Sequence, residues 1–477
     1  MVSPGVDMPP RSVDLSGRPF HFIGIGGIGM SALAYVLTKR GIPVSGSDVA
    51  PNGISDRLAH LGVRITAQDG SALHTAGEPL PQVVCSSAIG TGNPEYQLAQ
   101  ALGCPILHRS DVLAALAREY ESILVAGTHG KTTTSSLIGH ILLQAGWDPT
   151  LVIGGEVSTW GGNARLGQGR WLVAEADESD GTLVNLRGRV GVITNIEWDH
   201  TNHFPSLAEV VATFRAFADN CELLVVCTDC PTAAALAAEV PRPVVTYGLN
   251  RAARYRVCQV AYSARGIAAQ VMQGDEVLGP LTIPLFGEHN LRNTLAAVAV
   301  CRELGMAFAD IQQGVATFVG ARRRFEWRGQ AQGMEFYDDY AHHPSEIRAT
   351  LNAARQRWPK GQRRLVAVFQ PHRYSRTVSL LGDFGPAFAQ ADVVVLVDIY
   401  GAGEANPTGI TGEAVAQQVQ QYHPQVRYMA TLEMLEQELP QLLQPGDVVL
   451  FLGAGNVNRV IPRLLAAYQA GDAVAAG

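Results

Sequence analysis

ILVAGTHGKTTT, running from Ile123 to Thr134, decides the fold of the middle of this chain. Ile123, Leu124 and Val125 form a short apolar run of the kind that makes a buried strand. A glycine-bounded turn follows, and apolar periodicity then continues to Ala145. Strand, tight loop and helix start, in that order, bind phosphate. Backbone N–H groups of the loop converge on an anion and the helix dipole favours negative charge. Lys131 can reach the outer phosphates, and the Thr132 hydroxyl can sit on Mg²⁺. Gly127, Thr128, His129, Gly130, Lys131, Thr132 and Thr133 are therefore the candidate nucleotide-phosphate residues. The full pattern would place a further glycine at position 125, where valine stands, so the loop is a shortened form. An ordinary glycine turn with a solvated lysine is the alternative.

Composition sharpens the first reading. Of 36 basic residues only three are lysines, Lys39, Lys131 and Lys360. In so arginine-rich a chain, a lysine inside a glycine loop points to a need for a compact ammonium rather than a planar fork. The 477 residues exceed one ordinary core and suggest about three domains. Hydrophobic content of 47% and charged content of 17% describe a well-packed globular protein. A net charge of −7 and no run of basic residues argue against a nucleic-acid partner. Asp7, Arg11 and Asp14 among prolines do not resemble a signal peptide. No apolar run reaches the ~18 residues of a membrane span, so the expected location is cytoplasmic with no membrane partner. Seven scattered cysteines argue against a disulfide framework. The lone pair Cys227 and Cys230 lacks the second ligand pair that zinc needs.

Apolar runs alternate with helical patterns almost throughout, which predicts parallel α/β sheets. A first block, to about residue 119, opens on the strand Phe20–Ile23 and ends in a helical stretch, Asp111–Glu121. A second carries the phosphate loop and ends near Val319. Gly320 and Arg322–Arg324 make a hinge before a third block. Its strands lie near Leu365–Phe369, Val393–Val397 and Val448–Leu452, and an Ala/Gly-rich tail follows Tyr468.

Polar residues gather at the ends of these runs. FIGIGGIGM sets Gly24, Gly26, Gly27 and Gly29 between a strand and a helix, with Asp48 19 residues past Gly29. That geometry suits a diphosphate, of NAD or of a nucleotide sugar, or is a turn without ligand. WLVAEADESD runs from an apolar strand into Glu175, Asp177, Glu178 and Asp180, and VGVITNIEWDH runs into Glu197, Asp199 and His200. Ligands in open α/β sheets bind at the carboxyl ends of strands, and Glu175 with Thr132 could hold Mg²⁺. His200, taken by itself, reads as a capped surface or core histidine. YDDYAHHPSEI contributes Asp338, Asp339, Tyr340, His342 and His343. FQPHRYSRT contributes His372, Arg373 and Arg376, whose forked guanidinium groups suit a carboxylate or a solvated surface equally.

Taken together, these stretches make the chain resemble the ATP-dependent Mur ligases of peptidoglycan synthesis, in their L-alanine-adding branch. The resemblance runs from about Phe22 to Asn456. It rests on the ordered motifs GIGGIGMSALA, SGSD, GTHGKTTT, EADESD, TNIEWDH, FGEHNLRN, RRFE, DDYAHHPSE, FQPHRYSRT, DIYGAGE and GAGN. It implies an α/β fold of three domains: an N-terminal Rossmann-like UDP-sugar domain over 1–119, a central P-loop ATPase-type domain over 120–320, and a C-terminal Rossmann-like amino-acid domain over 321–477. It implies ATP and Mg²⁺, with UDP-N-acetylmuramate and L-alanine as substrates, in a monomer or homodimer. Lys131 and Thr132 would hold phosphates and metal, and Glu175 and His200 the metal. His289, Asn290, Asn293, Arg324 and Asp339 would contact ATP. Tyr340, His342, Arg373 and Arg376 would receive the amino acid. Gly24 to Gly29, Asp48, Ser86 and Ser87 would face the sugar nucleotide. Lys131, Glu175, His200, Arg373 and Arg376 are the catalytic set so implied.

One departure stands out. Several sister ligases bridge two Mg²⁺ ions with a carbamylated lysine about fifteen residues after the metal histidine; here FRAFADNC has Arg215 and no lysine. Arginine stays protonated and cannot carry a carbamate. The chemistry implied is acyl activation: ATP phosphorylates the lactyl carboxylate, and the L-alanine amine then displaces phosphate. Three rivals remain. They are a recycling ligase that attaches a whole peptide to the same sugar nucleotide, a nicotinamide oxidoreductase, and a non-catalytic sensor of UDP-muramyl compounds.

Overall fold

The computed structural model describes residues 12–73, 79–201 and 203–475, so Asp7 and Arg11 lie outside the described residues. The chain divides into two compact units. The first comprises Met1–Glu197, Leu207–Tyr255 and Ala296–Gly314; the second comprises Trp198–Ser206, Arg256–Leu295 and Val315–Gly477. No helix among the described residues is long and apolar enough to cross a membrane.

In the first unit, strands β1 (Phe20–Ile23), β2 (Val44–Ser47), β3 (Arg64–Thr66), β4 (Gln82–Cys85) and β5 (Ile106–His108) form a parallel sheet in the order β3-β2-β1-β4-β5. Every residue of β1 is buried, as a central strand covered on both faces requires. Gly46 keeps β2 close: a Cβ there would stand 2.6 Å from Ile25 Cδ1 and 2.8 Å from the Phe22 carbonyl oxygen. Beneath the sheet His21 and Glu95 are fully buried, with His21 Nε2 3.1 Å from Glu95 Oε1. Ser45 Oγ meets His21 Nδ1 at 2.9 Å, and Ser47 donates to the other oxygen of Glu95.

A second sheet holds β6 (Glu121–Ala126), β7 (Thr150–Val157), β8 (Gly162–Arg165), β9 (Trp171–Glu175), β10 (Gly188–Ile193), β11 (Cys221–Cys227) and β12 (Val244–Tyr247), in the order β12-β11-β10-β6-β9-β7-β8. All pairs are parallel except the β7–β8 hairpin. From β6 the chain runs out to β7 and β8 at the edge, comes back to insert β9 between β6 and β7, and then places β10 on the other side of β6. The loops after β6, β9 and β10 thus open at a topological switch point, where ligands bind in such sheets. The two sheets meet within this unit: Asn163 Nδ2 of β8 donates to Ser31 Oγ at 2.9 Å and to the Ile28 carbonyl at 2.5 Å, on the helix Ile28–Lys39.

The second unit carries most of β13 (Tyr255–Ser263), with β14 (Gly266–Gln273) and β15 (Glu276–Ile283), the last two an antiparallel pair. It also carries a sheet of β16 (Glu326–Ala331), β17 (Met334–Asp339), β18 (Leu365–Phe369), β19 (Val393–Leu396), β20 (Val426–Tyr428) and β21 (Val448–Leu452). Their order is β16-β17-β21-β18-β19-β20, parallel apart from the β16–β17 hairpin. Leu365, Ala367 and Phe369 pack into one core while Val366 and Val368 pack into another, the period-two split of a strand covered on both faces. The Ala/Gly-rich stretch after Tyr468 continues the helix Val460–Ala475 rather than leaving it.

Candidate active site

In the first unit β6 delivers its loop to the helix Lys131–Gln144 through two glycines in unusual conformations. Gly130 caps the helix at φ +84°, and Gly127 sits at φ +139°, where a Cβ would stand 1.8 Å from Thr194 Oγ1. No other residue fits that turn. The end of β10 braces it: Thr194 Oγ1 donates to the His129 carbonyl at 2.6 Å. Asn195 Oδ1 accepts from His129 N at 2.8 Å, and Thr128 Oγ1 donates to the Glu197 carbonyl at 3.2 Å. Thr194 and Asn195 had no role in the sequence reading; the TNIE motif after an apolar strand was the available signal.

Lys131 Nζ lies 2.6 Å from the Gly127 carbonyl and 2.9 and 2.8 Å from the two oxygens of Glu178, itself buried. Burial opposes the ammonium charge, but Glu178, Asp177 and Glu175 outweigh it and raise the lysine pKa. Beside it Thr132 Oγ1 lies 3.3 Å from Glu175 Oε2, and Glu175 Oε1 accepts from Gly154 N at 2.7 Å and from Ser135 Oγ at 3.3 Å. A Cβ on Gly154 would come within 2.4 Å of Glu175 Oε2, so a larger residue there would push that carboxylate aside. A largely buried ammonium, a helix start and a hydroxyl–carboxylate pair of hard oxygens fit a nucleotide phosphate with Mg²⁺.

The glycine turn of the first sheet is held from its own side. Gly24 takes φ +79°, and Gly24 N and Ile25 N donate to the Ser47 carbonyl. Gly26 N donates to Asp48 Oδ2 at 2.8 Å, while Asp48 Oδ1 accepts from Ala50 N, and Asn52 Nδ2 reaches the Gly26 carbonyl at 3.3 Å. Asp48 therefore shapes the turn, with Asn52 as an unforeseen partner. Gly27 caps the helix that carries Gly29. Ser86 is half-buried, and exposed Ser87 donates to Asp180 Oδ2 at 3.1 Å.

In the second unit the third-block residues converge at the carboxyl ends of β17 and β18. Asp339 accepts from Phe325 N and Ala341 N, each at 2.8 Å; burial pushes its carboxyl up to about 6. Arg323 and Arg324 lie over the Tyr340 ring at 5.0 and 5.2 Å. His342 Nδ1 is 3.0 Å from the Tyr340 carbonyl and 3.2 Å from Glu346 Oε2, and burial brings His342 down to about 4. His372, stacked on Tyr400, is brought down to about 3, again chiefly by burial.

Arg376, 5% exposed, grips Asp199 with a fork: Nε to Oδ1 at 2.9 Å and Nη2 to Oδ2 at 3.2 Å. Burial works against the Asp199 carboxylate, but Arg376 and His200 hold it well below the usual range. His200, at φ +52°, donates its backbone N–H to Asp199. Arg373, at φ +69°, places Nη1 3.2 Å from Glu404 Oε1. Both arginines thus have internal carboxylate partners, Asp199 and Glu404, that the sequence reading left without roles. On the helix Glu288–Glu303, Asn290 Nδ2 donates to the Phe286 carbonyl and Asn293 to Asn290. Burial lowers His289 beside them to about 4.

Three family models match the chain in order: Mur ligase family, catalytic domain, over residues 19–121; Mur ligase middle domain over 125–301; and Mur ligase, glutamate ligase domain, over 323–455. A UDP-N-acetylmuramate–L-alanine ligase of Synechococcus elongatus is 56% identical over 473 residues, covering 96% of this chain and 98% of its own. The crystal structure of a UDP-N-acetylmuramate–alanine ligase from Thermotoga maritima superposes with a TM-score of 0.81 at 28% identity, over 95% of this chain and 99% of that one. A murein peptide ligase from Psychrobacter arcticus shares the fold, with a TM-score of 0.71 at 22% identity over 95% and 99% of the two chains.

Proposed function

This chain belongs to the Mur ligase family, with its three-domain α/β architecture, and we infer from that premise that it joins L-alanine to the lactyl carboxylate of UDP-N-acetylmuramate. ATP is the co-substrate, and ADP and phosphate leave. The observation that carries the reading is near-complete alignment, at 56% identity, with a curated ligase of that name. It favours a single amino acid over the peptide acceptor of the recycling alternative. The phosphate loop, with Lys131 on Glu178 and Thr132 on Glu175, supports ATP use. We place the domain boundaries at 119/120 and 320/321 and the enzyme in the cytoplasm.

A carboxylate resists attack by an amine because its leaving group would be oxide or hydroxide. Transfer of the γ-phosphoryl group to a carboxylate oxygen gives an acyl phosphate, from which phosphate departs after the amine adds. Lys131, surrendered by Glu178, would neutralise charge on the phosphates, and the loop amides would orient them. Thr132 and Glu175 would hold Mg²⁺, which supplies further charge neutralisation when bound. The glycine turn from Gly24 to Gly29 would seat the diphosphate of the sugar nucleotide, with Ser86 and Ser87 at its rim. Tyr340, His342, Arg373 and Arg376 would receive L-alanine, its carboxylate competing with Glu404 or Asp199 for a guanidinium.

The test is phosphate release from ATP by the purified chain, with the acceptor varied. Release that requires both UDP-N-acetylmuramate and L-alanine, with UDP-N-acetylmuramoyl-L-alanine as product, is expected. Preference for L-alanyl-γ-D-glutamyl-diaminopimelate would transfer the protein to the recycling branch, and joining without ADP would end the reading.

A further inference from the structure

The segment Glu175 to Asp180, leaving β9, turns its acids two ways. Glu175 and Glu178, three apart, face the phosphate loop through Thr132 and Lys131. Asp177 and Asp180, also three apart, face the first sheet. Arg109 Nη2 is 2.7 Å from Asp177 Oδ2 and 3.3 Å from Asp180 Oδ2. Asp180 Oδ2 also accepts from Ser87 Oγ at 3.1 Å and stands 3.4 Å from His108 Nε2. Arg109 opens the helix Arg109–Arg118 directly after β5, and its other terminal nitrogen points elsewhere. Nη1 stands 3.4 Å from where a Cβ on Gly29 would sit, against the first turn of the helix behind the glycine turn. One guanidinium therefore lies between the two loops that the functional reading gives to the two nucleotides.

We propose that Arg109 is a positioning residue that couples the two ligand sites: its Nη1 edge binds the diphosphate of the sugar nucleotide, while its Nη2 edge holds the Asp177–Asp180 face of the segment whose other face clamps Lys131. The planar fork presents donors along more than one edge, so one arginine can serve an anion and a carboxylate together. A diphosphate arriving at Nη1 shares the cation's charge with Asp177 and Asp180 and weakens their hold without breaking it. Glu178 sits between those acids in sequence, and it must yield Lys131 when a triphosphate enters. Whichever ligand binds first meets the cost of shifting this segment, so the second binds more tightly. The effect is reciprocal by linkage. The inference rests on the reading of these two loops as the UDP-sugar and ATP sites.

Calorimetry on the full chain tests it. The affinity for UDP-N-acetylmuramate is measured with and without a non-hydrolysable ATP analogue and Mg²⁺, and the analogue is titrated in the reverse order. In the unmodified protein each ligand should tighten the other by about fivefold or more. Arg109→Met should bring that ratio to about one while both ligands still bind, and Arg109→Lys, which keeps charge but loses the second edge, should do the same. A merely structural ion pair would change stability or both affinities without changing their ratio. If Arg109→Met proves unstable, Asp180→Asn, which spares the arginine, supplies the same readout. A ratio of one in the unmodified protein, or an undiminished ratio in the folded variants, overturns the proposal. Failure of either ligand to bind the unmodified protein would instead overturn the functional reading on which it stands.

Discussion

Lys131 lies in a cage of two loop carbonyls and the Glu178 carboxylate, and a nucleotide must win it from that acid. Lys131→Ala should therefore cut phosphate release by on the order of 100-fold or more, as loss of one preorganised charge stabiliser does. Binding of UDP-N-acetylmuramate should survive, because Lys131 touches no residue of the glycine turn; calorimetry and a phosphate assay together check both halves. The buried histidines set a second expectation. His289 and His342, held near 4, and His372, near 3, stay neutral while their unfolded counterparts protonate from about pH 6.5 downward. Their stabilising contribution is full above pH 6.5 and lost as pH falls toward 4. Asp339 acts oppositely: its folded carboxyl keeps a proton up to about pH 6, whereas the unfolded group releases it near 3.8, so its contribution fades as pH rises. Three histidines outnumber one carboxyl, so stability should fall on acidification from pH 6 to 4, by about 1.4 kcal/mol per pH unit for each unbalanced proton. Asp339→Asn should steepen that slope in urea-denaturation midpoints measured across the range. A shallower slope would contradict it.

At the scale of elements, the strands that hold the sites were legible because they are unbroken apolar runs: Phe20–Ile23, Leu365–Phe369 and Val448–Leu452 stand as read. The helix expected over Asp111–Glu121 starts at Arg109, because His108 caps it through Ser110 N and Asp111 accepts from His108 N, and it ends at Arg118. Tyr120 then leads straight into β6 with no glycine or proline to mark the change. What stayed hidden are partners far apart in sequence. Asp199 with Arg376, Arg109 with Asp177, and Gly154 with Glu175 carry no local pattern; only folding brings them together. The same holds for His21 and Glu95 under the first sheet. Glu95→Ala would leave His21 and Ser47 buried without their acceptor, at a cost of about 1–3 kcal/mol for each group left unsatisfied. The denaturation midpoint should drop accordingly in urea, and Glu95→Gln should recover part of the loss. An unchanged midpoint for Glu95→Ala would mean that the pair contributes nothing.

Across the whole molecule, the stretch in which the family resemblance would lead one to look for a carbamylated lysine holds an ion pair instead, Arg215 on the helix Leu207–Asp219 with Glu239 on Pro231–Glu239. Turnover should therefore be indifferent to removal of bicarbonate from the assay, and Arg215→Ala should cost less than about 1 kcal/mol of stability. A rate that rises with added bicarbonate would require a carbamate at another lysine. The scarcity of lysine has an experimental consequence as well. Lys39 and Lys360 are exposed, whereas the Lys131 side chain is 15% exposed and clasped by an acid. Carbon-13 reductive methylation would thus place its lysine probes on two open amines. The third amine should stay dark, and the moment at which it becomes reactive would mark, in a nearly empty spectrum, when the cradle opens.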